Sequence, residues 1–151
     1  MKRLFKKLCK ESKCVVTKDG YFVLDACLVI RQDLLDAVRI DYQAMVNDSI
    51  VHGFFEVWND HFNDPVDIYD VPAIDGEEKI FEWFDGSIYE IKVRRKIFRL
   101  NKLHVDFMEK LLKKAKRKNV DRKIYQKDYF YAITWKDENG EILGASTGFK
   151  K

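Results

Sequence analysis

The stretch FDGSIYEIKVRRKIFRL, residues 84–100, carries the clearest strand signal in the sequence. Apolar and polar residues alternate through residues 87–93, as in a strand with one buried face. The Asp85-Gly86 pair before them is typical of a two-residue turn, which predicts a hairpin with residues 79–84. After a bend, residues 96–100 predict a further strand, so this part of the chain should form an antiparallel sheet.

Downstream of this sheet the pattern changes to that of a helix. Asn101 is suited to cap a helix start, because its side chain can accept hydrogen bonds from free backbone N–H groups. Apolar residues at three- and four-residue steps extend the predicted helix over residues 101–118. Residues 127–135 and 141–149 are predicted to be strands on either side of a turn at residues 137–140.

Upstream, residues 2–12 read as a short basic amphipathic helix. Two strands are predicted next, over residues 14–17 and 21–30. From residue 34 to residue 62, apolar side chains fall on one helical stripe, which predicts two helices or one helix kinked near Gly53, with Asp33 as the N-cap. The acidic loop that follows is predicted to hold a short strand at residues 66–69.

These elements predict an α+β fold. Helices and strands are interleaved without regular βαβ units, which favours a mainly antiparallel sheet of about five to seven strands with two or three amphipathic helices on one face. The 151 residues suit a single domain, residues 1–151. There is no apolar run of transmembrane length and no secretory h-region, so we expect a cytoplasmic protein.

Cysteine and histidine residues indicate no metal or disulfide framework. The three cysteines, Cys9, Cys14 and Cys27, include no C-x-x-C pair, so free thiols in a reducing compartment are expected. We interpret the three histidines as surface or boundary residues: His52, His61 and His104.

Charge is distributed very unevenly along the chain. Residues 41–90, the acidic half, contain thirteen carboxylates and one cation, Lys79. Residues 91–136, the basic half, contain sixteen Lys and Arg residues and four Asp and Glu residues. The charges of the two segments cancel, so the net charge of +3 comes from the rest of the chain, and the asymmetry concerns partners and association rates rather than fold.

The acidic half favours a protein partner as the first functional hypothesis. Carboxylates spaced along a helix and loop can imitate the phosphates of nucleic acid and occupy the basic groove of a larger nucleic-acid-handling machine. The predicted contacts are Glu56, Asp60, Asp64, Asp67 and Asp70, with Trp58 and Tyr69 as aromatic anchors. The protein would then be a non-enzymatic accessory protein without a cofactor, by analogy with phage and mobile-element inhibitors of host defence.

The basic half favours a different partner, nucleic acid itself. Cations on a strand and on a helix can neutralise several phosphates if they share one surface. The candidate residues are Arg94, Arg95, Lys96 and Arg99 on the strand, and Lys113, Lys114, Lys116 and Arg117 on the helix.

A third alternative is enzymatic. Glu90-Ile91-Lys92 resembles the active-site strand of PD-(D/E)xK nucleases, and Asp75 lies upstream as the family's other carboxylate does. The resemblance implies that Asp75 and Glu90 bind Mg²⁺ while Lys92 orients water. On an ordinary amphipathic strand, Glu90 and Lys92 would instead face solvent while Tyr89 and Val93 point inward. We favour the ordinary strand.

Overall fold

A computed structural model of the chain describes residues 1–48, 67–71, 79–83, 86–127 and 130–148. The helices in these residues are α1 (Lys2–Cys9), α2 (Gln32–Ala37) and α3 (Lys102–Lys114). The strands are β1 (Cys14–Val16), β2 (Tyr21–Leu24), β3 (Leu28–Arg31), β4 (Asp67–Asp70), β5 (Lys79–Trp83), β6 (Gly86–Val93), β7 (Lys96–Asn101), β8 (Asp121–Lys127), β9 (Phe130–Lys136) and β10 (Ile142–Thr147).

The strands form two antiparallel sheets. One has seven strands in the order β1-β2-β3-β10-β9-β8-β4, and the other has three in the order β5-β6-β7. A β-bridge between Leu100 and Gly148 joins them. The predicted α+β class, with a mainly antiparallel sheet and amphipathic helices, is therefore confirmed.

The helices pack their apolar sides on one face of the large sheet. The ring of Phe5 in α1 lies 5.3 Å from that of Phe22 in β2 and 5.8 Å from that of Phe107 in α3. Helix α3 crosses the sheet closely at Gly144, where an added Cβ would lie 2.5 Å from the Met108 side chain. Helices α1 and α3 therefore share one core, and the sides of both helices that face away from it are exposed.

The long helix predicted from residue 34 is wrong over residues 38–48, because the helix ends at Ala37. The backbone N–H of Ile40 donates to the carbonyl of Leu35, which closes the helix end. Arg39 adopts the left-handed conformation that this closure requires, with φ of 59°. The part of the predicted helix after residue 48 lies outside the described residues.

The residues after α2 reach the core without continuing the helix. A short 3₁₀ turn covers Gln43–Met45. Tyr42 packs edge-on against Phe22, with ring centroids 6.2 Å apart. Asn47 bonds the edge of β1, because its side-chain oxygen accepts from the N–H of Cys14 and its own N–H donates to the Cys14 carbonyl. The apolar residues that suggested a helix are therefore spaced by their contacts with the core and not by a helical turn.

Two strand predictions and one cap also need correction. Residues 21–30 form two strands rather than one, because Asp25 and Ala26 turn the chain with φ of 50° and 55°. Strand β8 was missed, since its sequence is too polar to show a clear alternation. Asp33 lies in the first turn of α2 and pairs with Arg31, the N-cap residue, at 2.8 Å.

Other predictions agree closely with the structure. Asn101 caps α3, accepting from the N–H groups of Leu103 and His104 at 3.0 and 3.3 Å. Helix α3 ends at Lys114 rather than at residue 118, and Lys116 then adopts a φ of 58°. No helix within the described ranges is long and apolar enough to cross a membrane.

Candidate nucleic-acid interface

Helix α1 separates apolar from basic side chains. Phe5, Leu8 and Cys9 are buried, and burial raises the pKa of the Cys9 thiol. The opposite side of the helix and the residue after it are exposed and entirely cationic: Lys2, Arg3, Lys6, Lys7 and Lys10. The helix contains no acidic residue, so nothing within it offsets this charge.

Helix α3 is built in the same way. Its buried residues are Val105, Phe107, Met108, Leu111 and Leu112, together with His104. Its last turns and the following turn expose six more cations: Lys110, Lys113, Lys114, Lys116, Arg117 and Lys118. Because α1 and α3 pack side by side on the same core, we group these eleven exposed cations as the helical basic surface.

The two carboxylates of α3 are held by groups other than this surface. Asp106 accepts hydrogen bonds from the Tyr89 hydroxyl and the Lys102 ammonium group. Glu109 forms two hydrogen bonds with the Arg122 guanidinium group and accepts another from the Trp135 indole at 3.2 Å. The negative charges of Asp106 and Glu109 are therefore neutralised by Lys102 and Arg122, and not by the exposed lysines of α3.

The helical basic surface has few ion pairs of its own. Arg117 lies 3.5 Å from Asp33, and Asp33 also binds Arg31 at 2.8 Å. The other ten cations form no ion pair with any residue that the structure describes. Such unpaired cations attract a polyanion most strongly at low ionic strength.

The strand cations predicted from the sequence form a separate group. Arg94 and Lys96 lie over the ring of Tyr69, 5.2 and 5.6 Å from its centroid. Lys96 also donates to the Gln126 side chain at 3.0 Å. Gln126 lies near the end of β8 that is farther from Arg117 along the chain. Five residues of β8 separate Asp121 from Gln126, roughly 17 Å of extended chain. The structure therefore does not join the strand cations to the helix cations.

The described carboxylates of the acidic half are mostly paired. Asp48 lies 2.8 Å from Lys13, and Glu90 lies 3.6 Å from Arg99, directly opposite it on β7. Strand β4 of the acidic half pairs with β8 of the basic half, which brings Asp70 to 3.7 Å from Lys123. The two oppositely charged segments thus meet inside one sheet.

The predicted acidic patch is only partly described. Glu56, Trp58, Asp60 and Asp64 lie outside the described residues. Asp67 and Asp70 are exposed on β4, but Tyr69 between them is only 5% exposed, because it packs under Arg94 and Lys96 and against Phe98. The exposed apolar side chain on this strand is Ile68, which is 43% exposed.

The residues of the nuclease alternative are also only partly described. Lys92 is exposed while Tyr89 and Ile91 are buried, which confirms the predicted alternation of β6. Glu90 is engaged with Arg99, and Asp75 lies outside the described residues. Within the described ranges, no group of three His, Cys, Asp or Glu side chains is placed to hold a metal ion. The role of Asp75, Glu90 and Lys92 in catalysis stays a prediction.

Sequence reasoning missed two polar features beside the helical basic surface, a buried histidine and a partly buried ion pair. His104, interpreted as a surface or boundary residue, is only 9% exposed, and burial lowers its pKa to about 4 despite the attraction of Asp25. Glu109 and Arg122 lie thirteen residues apart on different elements, so no local spacing rule connects them. By contrast, Lys102 and Asp106 are four apart on a helix, a spacing that predicts a pair.

Comparisons with protein-family models, with curated proteins and with solved structures found no match to this chain.

Proposed function

We propose that the protein binds nucleic acid through the helical basic surface. The observation that supports this function is the set of eleven exposed cations on α1 and on the end of α3, two helices packed on one core, of which a single one has an ion-pair partner among the described residues. Each lysine that neutralises a phosphate releases condensed counterions, which is the main source of sequence-independent affinity for nucleic acid.

The composition of the surface favours phosphate contacts over base recognition. Nine of its eleven cations are lysines, which act as compact point charges rather than as the planar forks that read guanine edges. Contacts to phosphates position a protein on nucleic acid without carrying sequence information. We therefore expect weak sequence preference and a steep dependence of affinity on salt.

A membrane surface is a less suitable polyanionic partner for the helical basic surface than nucleic acid is. A helix that lies in a lipid interface needs an exposed apolar face beside its cations. The apolar residues of α1 and α3 are instead buried in the core, and the exposed large apolar residues within the described ranges, Ile68 and Ile97, lie on strands. The helical basic surface therefore presents cations but no apolar face that could insert into a lipid interface.

The test is fluorescence anisotropy with labelled DNA and RNA duplexes, between about 50 and 200 mM salt. The double substitution Lys6→Gln and Lys113→Gln removes one charge from each helix, and should reduce the slope of log affinity against log salt by up to about 1.8 for DNA. The matched control, Lys18→Gln with Lys92→Gln, removes two exposed charges elsewhere and should leave the slope nearly unchanged. Equal effects of the two variants, or no binding at low salt, would contradict the proposal.

A protein partner for the acidic strand β4 is a second proposal. It is supported by three exposed residues, Asp67, Ile68 and Asp70, on β4, which lies at one edge of the large sheet. An exposed apolar residue flanked by carboxylates suits a small docking site on a basic partner surface. Charge reversal by Asp67→Lys with Asp70→Lys should abolish capture of a specific partner from a nuclease-treated host lysate, and unchanged capture would argue against this strand.

A further inference from the structure

A groove of about 500 Å³ lies where α3 meets the start of β8. Lys110 and Lys113 line it from the helix, and Arg117, Asn119 and Val120 line it from the turn and strand that follow. Its size falls within the usual range of small-ligand pockets and suits one nucleotide, whereas a duplex is too wide to enter. The groove is therefore a distinct feature within the wider helical basic surface.

The groove carries an excess of positive charge. Arg122 and Glu109 also line it, but they neutralise each other, with the Arg122 Nη2 only 2.6 Å from the Glu109 Oε2. Lys110 and Lys113 have no ion-pair partner among the described residues, and Arg117 has Asp33 at 3.5 Å. Cations that converge in a concave site raise the local potential more than the same cations on a flat surface.

The C-terminal end of α3 does not cancel this potential. Free carbonyl groups at a helix end would repel an anion. Here the N–H groups of Ala115 and Arg117 donate to the carbonyls of Leu111 and Leu112 at 2.8 and 2.9 Å. The N–H of Lys116 donates to the Lys113 carbonyl at 3.1 Å, so three of the last four carbonyls of the helix are satisfied by the chain itself.

We infer that this groove binds the terminal phosphate of a nucleotide. A phosphate monoester carries a charge between about −1.5 and −2 at neutral pH, which the three cations that line the groove match better than they match the single charge of a phosphodiester. The Asn119 amide and the Val120 side chain provide a polar and an apolar contact for the attached sugar or base. This inference rests on the proposed function: the terminal phosphate would belong to a strand held by the helical basic surface, or to a free nucleotide.

The first experiment compares two short single-stranded DNAs of one sequence, with a 5′ phosphate or a 5′ hydroxyl, by anisotropy. We expect the phosphorylated end to bind about tenfold more tightly at low salt. Lys110→Gln with Arg117→Gln should remove this preference while the hydroxyl-ended DNA still binds. Lys6→Gln with Lys114→Gln, outside the groove, should weaken both DNAs by the same factor and keep the preference.

The second experiment separates the two sources of phosphate. Adenosine monophosphate and inorganic phosphate are titrated into the ¹⁵N-labelled protein, and the side-chain amide of Asn119 and the backbone amide of Val120 are followed by NMR. Saturable shifts with the nucleotide would support phosphate binding in the groove, whether or not DNA binds. A failure of DNA to bind would then contradict the proposed function alone. Equal affinity for the two DNA ends, together with no shift at Asn119 from either titrant, would overturn the inference.

Discussion

At the residue scale, Glu109 determines how much charge the helical basic surface retains. Its carboxylate is bound by Arg122 and Trp135 from the neighbouring strands, so it is held away from Lys110 and Lys113. Removing one partner of such a pair leaves the other uncompensated, which is more costly than losing the interaction itself. The pair therefore fixes the position of β8 against α3 and leaves the lysines unpaired.

His104 makes stability depend on pH. Its pKa is lowered to about 4 by burial, from an ordinary value near 6.5, so the unfolded chain binds a proton at a pH where the folded protein does not. The free energy of unfolding should therefore fall as the pH drops from about 6.5 toward 4, by about 2 kcal/mol between pH 7 and pH 5.

This prediction is checked by chemical denaturation at several pH values between 5 and 7. His104→Leu should flatten the pH dependence in this window, because the leucine binds no proton. His52 and His61 remain in that variant and serve as the internal control. An unchanged pH dependence in His104→Leu would show that the titrating group lies elsewhere.

At the level of single residues, the sequence predicted local relations well and distant ones poorly. Asn101 was recognised as a cap because its hydrogen bonds reach only two and three residues ahead. Tyr69 was predicted as an aromatic anchor for a partner, and it is only 5% exposed, beneath Arg94 and Lys96, which belong to the β6–β7 hairpin of the other sheet. Its burial depends on tertiary contacts, and alternation along β4 does not reveal them.

At the scale of elements, Tyr131 and Gly148 make a close contact between the two sheets. The Tyr131 hydroxyl accepts from the N–H of Arg99 at 2.8 Å and donates to its carbonyl at 3.0 Å. The Tyr131 ring also packs against Phe98 on β7, with centroids 5.0 Å apart. An added Cβ at Gly148 would lie 1.8 Å from this ring, so only a glycine fits beside it.

Gly148→Ala should therefore lower the free energy of unfolding by about 1–3 kcal/mol, because the methyl group would push the Tyr131 ring away from β7. The measurement is urea denaturation of the single variant and of the same substitution in a Tyr131→Ala background. The cost of the alanine should be clearly smaller in that background, where the ring is absent. Equal costs in the two backgrounds would mean that the Tyr131 ring is not the obstacle.

Elements were predicted correctly where propensity and packing agree. The strands β6, β7 and β9 alternate clearly and were predicted within a few residues. Strand β8 was missed because it is mostly polar, and its neighbours β9 and β4 determine that it is extended. The helix after α2 was over-predicted because Tyr42 and neighbouring apolar residues meet the core at spacings that imitate a helical stripe.

At the scale of the whole molecule, the acidic and basic halves are in contact within the part of the chain that the structure describes. Strand β4 of the acidic half lies against β8 of the basic half, and Glu90 lies opposite Arg99. The eleven exposed cations of the helical basic surface come from α1 and from the end of α3, two helices that are distant in sequence and packed against each other in the fold. This is why the sequence predicted Lys113, Lys114, Lys116 and Arg117 as candidates but could not join them to the N-terminal helix.

The order of strands in the large sheet also has a consequence for synthesis of the protein. Strand β10 lies between β3 and β9, although it is the last of the ten described strands to leave the ribosome. Until it emerges, the growing chain carries two open strand edges at the centre of the sheet, and exposed edges are the usual starting points for aggregation. A nonsense codon or proteolytic cut before Ile142 would make that intermediate permanent, so truncated chains should accumulate as insoluble material rather than as a smaller folded protein.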